Sequence, residues 1–293
     1  MQDQQPSSAY DSPYRPVTGN DVRSLRERVE RRLWRATKPL AQRLSAHRDR
    51  QYAFVAGMQR SGTNMLMELL EWSLWTDVYH ETDQRAFSNY EMRAPEAIRA
   101  LTARSPAPHI VIKALCELDL LPRLMDTFAP ARTLWVLRSL DDAVNSAVRS
   151  FGDFVSLLHR MAIDPSAGGW RGRGMSADTW ELLRRLDHPR IDEATAAAVM
   201  WYYRNVLFFE LGLDRDPRVR LIFYEDLVRE PARVLRETLD FLDIEDWSPW
   251  IVRYVHPRSV GKSPPAPIEA PVRQLCESLR QRFAALADAP ERA

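Results

Sequence analysis

Tyr52-Ala-Phe-Val-Ala-Gly-Met-Gln-Arg-Ser-Gly-Thr-Asn64 is the stretch on which the fold turns. Its first half is a short apolar run ending in glycine, which reads as a buried strand. Its second half, Gly57 to Asn64, leaves that strand and opens a helix over residues 63–75, where Leu66, Leu69, Leu70 and Leu74 recur at helical spacing. A bend of this kind aims several backbone N–H groups and the positive end of the helix dipole at one spot. Gly62 lets the backbone come close to an anion. Ser61, Thr63 and Asn64 add side-chain donors, and Arg60 supplies a planar guanidinium fork for oxyanions. A plain N-capped helix after a tight turn is the alternative, and it leaves the succession Arg-Ser-Gly-Thr-Asn unexplained.

The kind of anion is partly decided by what is missing. The P-loop of nucleoside triphosphatases places Lys-Ser/Thr directly after its second glycine. Here the Gly57 to Gly62 spacing fits, but Thr63-Asn64 follows and the cation comes earlier, at Arg60. No hydroxyl is specified at the usual Mg²⁺ position, and the dinucleotide fingerprint G-x-G-x-x-G is absent. The loop therefore suits a phosphorylated ligand whose chemistry needs no Mg²⁺.

Outward from this loop, apolar strands alternate with helices. His109-Ile-Val-Ile-Lys113, Arg132-Thr-Leu-Trp-Val-Leu137 and Arg218-Val-Arg-Leu-Ile-Phe-Tyr224 read as strands; residues 140–151, 192–212, 230–243 and 270–287 read as helices. That alternation predicts an α/β fold, a parallel sheet covered on both faces. The Gly- and Arg-rich residues 167–174 read as a mobile loop. At 293 residues, 45% hydrophobic and 28% charged, the composition is globular. A net charge of +1 sets up no field to recruit nucleic acid, and two cysteines, Cys116 and Cys276, exclude a disulfide scaffold. No apolar run approaches the roughly 18–20 residues that span a bilayer. The N-terminal segment has no hydrophobic signal, so a cytoplasmic protein is expected.

Residues 1–20 are polar, carry Pro6, Pro13 and Pro16, and are expected to be a disordered tail. Residues 21–50 hold ten Lys/Arg against four Asp/Glu. Val22, Leu25, Val29, Leu33, Leu40 and Leu44 recur there at helical spacing, which predicts a basic amphipathic helix broken or kinked at Pro39. The expectation is that its apolar side packs on the main domain and its basic side is solvated. The sharper alternative is an interfacial helix on anionic lipid at the inner face of the membrane, or a docking arm.

Three motifs together resemble a known family. Gln59-Arg-Ser-Gly-Thr-Asn64 after a strand is similar to the 5′-phosphosulfate loop of sulfotransferases that use 3′-phosphoadenosine 5′-phosphosulfate (PAPS). Leu134-Trp-Val-Leu-Arg-Ser-Leu-Asp-Asp-Ala-Val-Asn-Ser146 resembles their 3′-phosphate motif, with Arg138 at a strand end and Ser146 eight residues on. Leu221-Ile-Phe-Tyr-Glu-Asp-Leu-Val-Arg-Glu-Pro231 resembles a segment whose tyrosine, here Tyr224, often lies near the nucleotide. Alone, Arg138 is as consistent with a surface salt bridge, Ser146 with a neutral helix residue, and Glu225-Asp226 with a capping pair. The matches run in order over about residues 52–245. The resemblance implies a P-loop-like three-layer α/β sandwich whose central, mostly parallel sheet is flanked by helices, with residues 51–293 as one domain. It also implies PAPS as donor and adenosine 3′,5′-bisphosphate as product, with no metal.

The sequence departs from the small-molecule branch of that family. Where that branch has Lys-Thr-His, this chain has Lys113-Ala-Leu-Cys116, so Lys113 is kept and the histidine base is gone. In place of a C-terminal Arg-Lys-Gly stands Arg258-Ser-Val-Gly-Lys-Ser263, whose Ser259 and Lys262 are candidates to close over the 3′-phosphate. These features resemble the bacterial, carbohydrate and protein-tyrosine branches, where a glutamate is the usual base. By resemblance Glu81 takes that role, with Arg60 and Lys113 on the transferring group. His80, Glu91 and His109 are the alternatives, and Cys116 reads as a buried thiol. The acceptor is a hydroxyl on a carbohydrate, a lipid-linked glycan or a small metabolite. Residues 82–108 and 153–190, with Arg85, Phe87, Arg93, Trp170, Arg171 and Arg173, are candidate acceptor walls or a solvated rim. A P-loop kinase or triphosphatase and a catalytically inactive binding relative are the competing readings.

Overall fold

The computed structural model describes residues 25–44, 49–245, 247–255, 260–261 and 263–287. The tail expected over 1–20 lies outside the described residues, as do Val22, Ser259 and Lys262.

The quoted apolar run forms β1 (Gln51–Ala56), the middle strand of a five-stranded sheet. The others are β2 (Thr76–Tyr79), β5 (His109–Ala114), β6 (Ala131–Leu137) and β7 (Val219–Phe223), in the order β2-β5-β1-β6-β7. Every pairing is parallel, with Val55 opposite Lys113 on one side and Leu134 on the other. A separate antiparallel pair, β3 (Phe87–Ser88) and β4 (Glu91–Met92), follows β2.

Because successive strand side chains point to opposite faces, a fully apolar strand serves two cores. Phe54 and Ala56 join Ile110, Ile112 and Trp135 on one face, covered by α5 (Leu140–Ser150), α8 (Glu193–Glu210) and α11 (Ala270–Ala287). Ala53 and Val55 join Val111, Leu134, Val136 and Ile222 on the other, under α2 (Thr63–Glu71), α9 (Tyr224–Arg229) and α10 (Pro231–Phe241). The result is the expected α/β sandwich. Fully burying one such Val, Leu or Phe side chain contributes about 1.5–3 kcal/mol, so the sheet is the rigid frame on which the loops stand.

Several local expectations need correction. The helix predicted over 63–75 ends at Glu71, and the chain turns through Ser73 into β2. That strand is four residues at a sheet edge, with Thr76 and Tyr79 buried, too short to register as a periodic run. The loop expected over 167–174 is largely helical: residues Pro165–Arg171 form 3₁₀ turns interrupted at Gly169. A Cβ on Gly168 would meet the Met161 side chain, so these turns lie tight on α6 (Phe154–Ile163).

The largest correction concerns α1 (Leu25–Leu44), which continues through Pro39. Its charged side, not its apolar side, faces the protein. Arg31 reaches Glu68 and Glu71 of α2 at 3.1 and 3.2 Å. Trp34 Nε1 and Lys38 Nζ donate to the Glu71 carbonyl, and Gln42 Nε2 donates to the carbonyls of Leu74 and Thr76. Leu25, Val29, Leu33 and Leu40 are exposed by 49–71%. The cause lies in α2. Its last turn offers two carboxylates and carbonyls that have no further helix to bond, and cations complement the negative end of its dipole. Donors turn inward to meet them, and the apolar stripe, half a turn away, points outward.

Candidate active site

At the carboxyl edge of the sheet, each strand delivers one of the residues singled out above. Glu81 stands two residues past β2, Lys113 is the penultimate residue of β5, the loop from Gly57 to Gly62 leaves β1, Arg138 follows β6, and Tyr224 follows β7. Strand order therefore sets their order in space. Open α/β sheets place ligands in this crevice, where the connections reverse direction.

The loop is shaped by two glycines. Gly57 has φ 142°, and a Cβ there would lie 2.5 Å from the Val136 carbonyl oxygen. Gly62 has φ 97°, and its Cβ would lie 2.0 Å from the Tyr224 ring. The space beside Gly62 is thus filled by Tyr224 rather than left for a ligand. Gly62→Ala combines a left-handed backbone with a ring clash, so it should lower the unfolding free energy by about 2–4 kcal/mol. Denaturant unfolding of the variant is the check, and wild-type stability would contradict this account of the turn.

What the loop leaves open is donor capacity. Gly62 caps α2 without any side-chain hydrogen bond, so the first N–H groups of the helix have no side-chain cap. The Ser61 side chain is buried, and its Oγ makes no hydrogen bond among the described residues; the same holds for Gln59 Oε1. Buried polar atoms are seldom left this way unless something binds them. An anion seated on the Thr63 and Asn64 amides would meet Ser61, so the residues present fit a phosphosulfate group.

Arg60, itself at φ 69°, joins the Gly57–Gly62 loop to the segment carrying Arg138 and Ser146. Its Nε donates to Ser146 Oγ at 2.9 Å, and its carbonyl accepts from Arg138 Nη1 at 3.1 Å. Arg138 lies 4.7 Å over the Tyr224 ring, and both side chains are buried. Glu225 accepts the Ser139 N–H at 3.0 Å, which fixes the start of α5 and with it the position of Ser146. Of the proposed closing segment, Gly261 donates to Asp142 on α5 and Ser263 accepts from Arg149.

On the other side of the loop, Lys113 is 2% exposed and bridges Asn64 Oδ1, at 2.6 Å, to Glu81 Oε1. Burial lowers the Lys113 pKa, and the Glu81 carboxylate opposes that shift. Glu81 Oε2 is buried and makes no hydrogen bond among the described residues. His80, next to it, is half-buried, and burial lowers its pKa, so it is a neutral imidazole at pH 7. The remaining alternatives stand elsewhere. His109 begins β5, at the opposite edge of the sheet from Lys113, and Glu91 is paired with Arg173 at 2.9 Å.

Beyond Lys113 the chain builds a polar wall. Cys116 is a buried free thiol whose pKa burial pushes up. Glu117 escaped the sequence reading because an isolated glutamate after a strand carries no pattern. It is 4% exposed, accepts the Met92 N–H at 2.7 Å, and burial raises its pKa to about 7. Arg204, fully buried on α8, donates to the carbonyls of Leu115 and Trp170 and lies 5.3 Å over the Trp170 ring. It fastens the 165–171 turns to the end of β5. Arg85 pairs with Asp83, Arg93 donates to the Gln84 carbonyl, Phe87 is buried, and Arg171 stacks on Trp170.

Glu117 has a measurable consequence. Its folded pKa lies above its unfolded value of 4.5, so the unfolded chain releases this proton first as pH rises. Stability therefore falls between about pH 4.5 and 7 and stays lower above that range, by up to about 3 kcal/mol. Glu117→Gln should flatten that part of the profile, read as unfolding midpoints from pH 5 to 8. An unchanged slope would contradict the assignment.

The sulfotransferase domain family matches residues 50–256. Among solved structures, the sulfotransferase domain of the Synechococcus PCC 7002 olefin synthase aligns at 17% identity and TM-score 0.51, over 84% of this chain and 98% of that one. That likeness concerns the fold. The sulfotransferase domain of the curacin biosynthetic pathway aligns at 14% identity and TM-score 0.49, covering 80% and 99%. A mouse sulfotransferase complexed with PAP aligns at 15% identity and TM-score 0.37, covering 86% and 72%. No curated protein matches the sequence.

Proposed function

Since the chain belongs to the sulfotransferase family, we propose that it moves a sulfuryl group from PAPS to an acceptor hydroxyl by direct in-line transfer, with Glu81 as general base. The observation that carries this reading is the divided Glu81 carboxylate: Oε1 holds Lys113, while Oε2 is buried with no hydrogen bond among the described residues. Such an oxygen is placed to accept a proton from an incoming hydroxyl.

Each residue then has a task. The open amides of α2, with Ser61 and Arg60, hold the 5′-phosphosulfate and spread the charge that grows on the leaving phosphate. Lys113 lies between that anion and Glu81 and neutralises the sulfuryl oxygens. Arg138, Ser146 and Tyr224 receive the 3′-phosphate end; Ser259 and Lys262, outside the described residues, are further candidates for it by their place in the sequence. As the acceptor oxygen bonds to sulfur, its proton passes to Glu81 Oε2. The sulfur–oxygen bond to the phosphate breaks, and its electron pair stays with adenosine 3′,5′-bisphosphate. The balance needs no covalent enzyme intermediate. The acceptor is a carbohydrate, lipid-linked glycan or small metabolite, with residues 82–108 and 153–190 as its candidate walls.

Two measurements test this. Adenosine 3′,5′-bisphosphate should raise the melting temperature where ATP with Mg²⁺ does not; the reverse would favour the kinase reading. Labelled PAPS offered with panels of sugars, glycolipids and phenols should give labelled product in one panel. Tight bisphosphate binding with no turnover in any panel would favour an inactive binding relative.

A further inference from the structure

The outward face of α1 has nothing to do with the donor crevice, and its composition is specific. Leu25, Val29, Leu33 and Leu40 are 71%, 49%, 60% and 63% exposed. At 100° per residue they fall within one quarter of the helix circumference. Arg28 and Arg32 flank that stripe on one side and Arg43 lies in line with Leu25 at its edge, all exposed and with no partner among the described residues. Arg26 borders the other side and is paired with Glu30. The outward arc carries no carboxylate: Glu27 is buried, and Glu30 is held by Arg253 and Tyr254 at 2.6 and 2.7 Å. The helix is also firmly mounted by the Arg31, Lys38 and Gln42 contacts to α2 and its following turn, so the stripe is presented on a rigid base.

We propose that this face of α1 docks the protein on an anionic lipid surface, with the helix axis in the plane of the bilayer. An apolar stripe bordered by arginines is the pattern of an in-plane interfacial helix. Its leucines enter the acyl boundary while its cations meet the headgroups. The charge decides against a second copy as the occupant. Pairing two such faces sets Arg28, Arg32 and Arg43 against the same residues, with no carboxylate on the outward arc to answer them, whereas anionic headgroups answer all three. The helix is about 30 Å long, which gives a stripe of several leucines rather than one anchoring side chain. No described helix is long and apolar enough to cross a membrane, so the contact is peripheral as far as the described residues go.

The test uses the full chain and flotation with vesicles of phosphatidylcholine alone or with about 30% phosphatidylglycerol. The protein should float with the anionic vesicles only, and at least tenfold less in about 0.5 M than in about 0.1 M salt. Leu33→Ser/Leu40→Ser and Arg28→Ala/Arg32→Ala/Arg43→Ala should each cut partitioning at least tenfold. These positions are exposed, so melting temperature and bisphosphate affinity should not change, which separates this result from the donor-site reading. No partitioning onto anionic vesicles would overturn the proposal. So would partitioning that ignores the leucine substitutions, or a dimer by light scattering that Leu33→Ser/Leu40→Ser converts to monomer.

Discussion

Glu81→Gln should lower turnover by about 10²–10⁴-fold, the range expected when a positioned general base is lost, while bisphosphate affinity stays within about threefold. The substitution is informative because it is conservative in shape. Glutamine can still accept from Lys113 through its side-chain oxygen, so the Asn64–Lys113 contact at 2.6 Å and the loop beside it should persist. What disappears is the proton acceptor at Oε2, replaced by an amide N–H₂ that can only donate. Single-turnover rates with saturating PAPS isolate the chemical step from product release. Turnover within tenfold of wild type would remove Glu81 as base and turn attention to His80, the residue just before it in the chain, whose pKa burial lowers. His80→Gln run beside it distinguishes the two: under the Glu81 reading it costs much less.

The second large effect is on donor binding. Arg138→Ala and Arg60→Ala should each weaken adenosine 3′,5′-bisphosphate by more than tenfold, about 1.4 kcal/mol or more, measured by calorimetry. Arg138 is buried against Tyr224 at 4.7 Å and bonded to the Arg60 carbonyl. Its loss removes a charge-assisted donor from a site screened from water, where such bonds are strongest. Arg138→Lys should recover little, because an ammonium cannot reproduce a planar fork stacked on a ring. Wild-type affinity in both alanine variants would end the donor-site reading altogether.

How much of this was readable beforehand differs by element. The strand and loop from Tyr52 to Asn64 were legible because an apolar run, two glycines and a cluster of donors each constrain the same geometry. Helix 270–287 was legible because its apolar positions Val272, Cys276, Leu279 and Phe283 recur at helical spacing. Strand β2 was not, since Thr76-Asp-Val-Tyr79 is four residues with mixed polarity at a sheet edge. The orientation of α1 could not be read either. Periodicity groups Leu25, Val29, Leu33 and Leu40 on one side, but which side meets the protein depends on Glu68, Glu71 and the free carbonyls of a helix elsewhere in the sequence. The site residues divide in the same way. Arg60, Ser146 and Arg138 could be nominated from their motifs, but the bond between residues 86 positions apart belongs to the fold. Glu117 and Arg204 carry no motif, and burial alone marks them.

The Arg60 bridge bears on how the donor's affinity is composed. One side chain touches Ser146 while its own carbonyl anchors Arg138, so under the proposed function the pockets for the two ends of the nucleotide would share a hinge residue. Ordering either end preorganises the other. Adding the 3′-phosphate should then gain more affinity on adenosine 5′-phosphate than on adenosine itself, read by calorimetry on the four ligands. The protein would reject ordinary mononucleotides through this chelate effect, without any group that repels them.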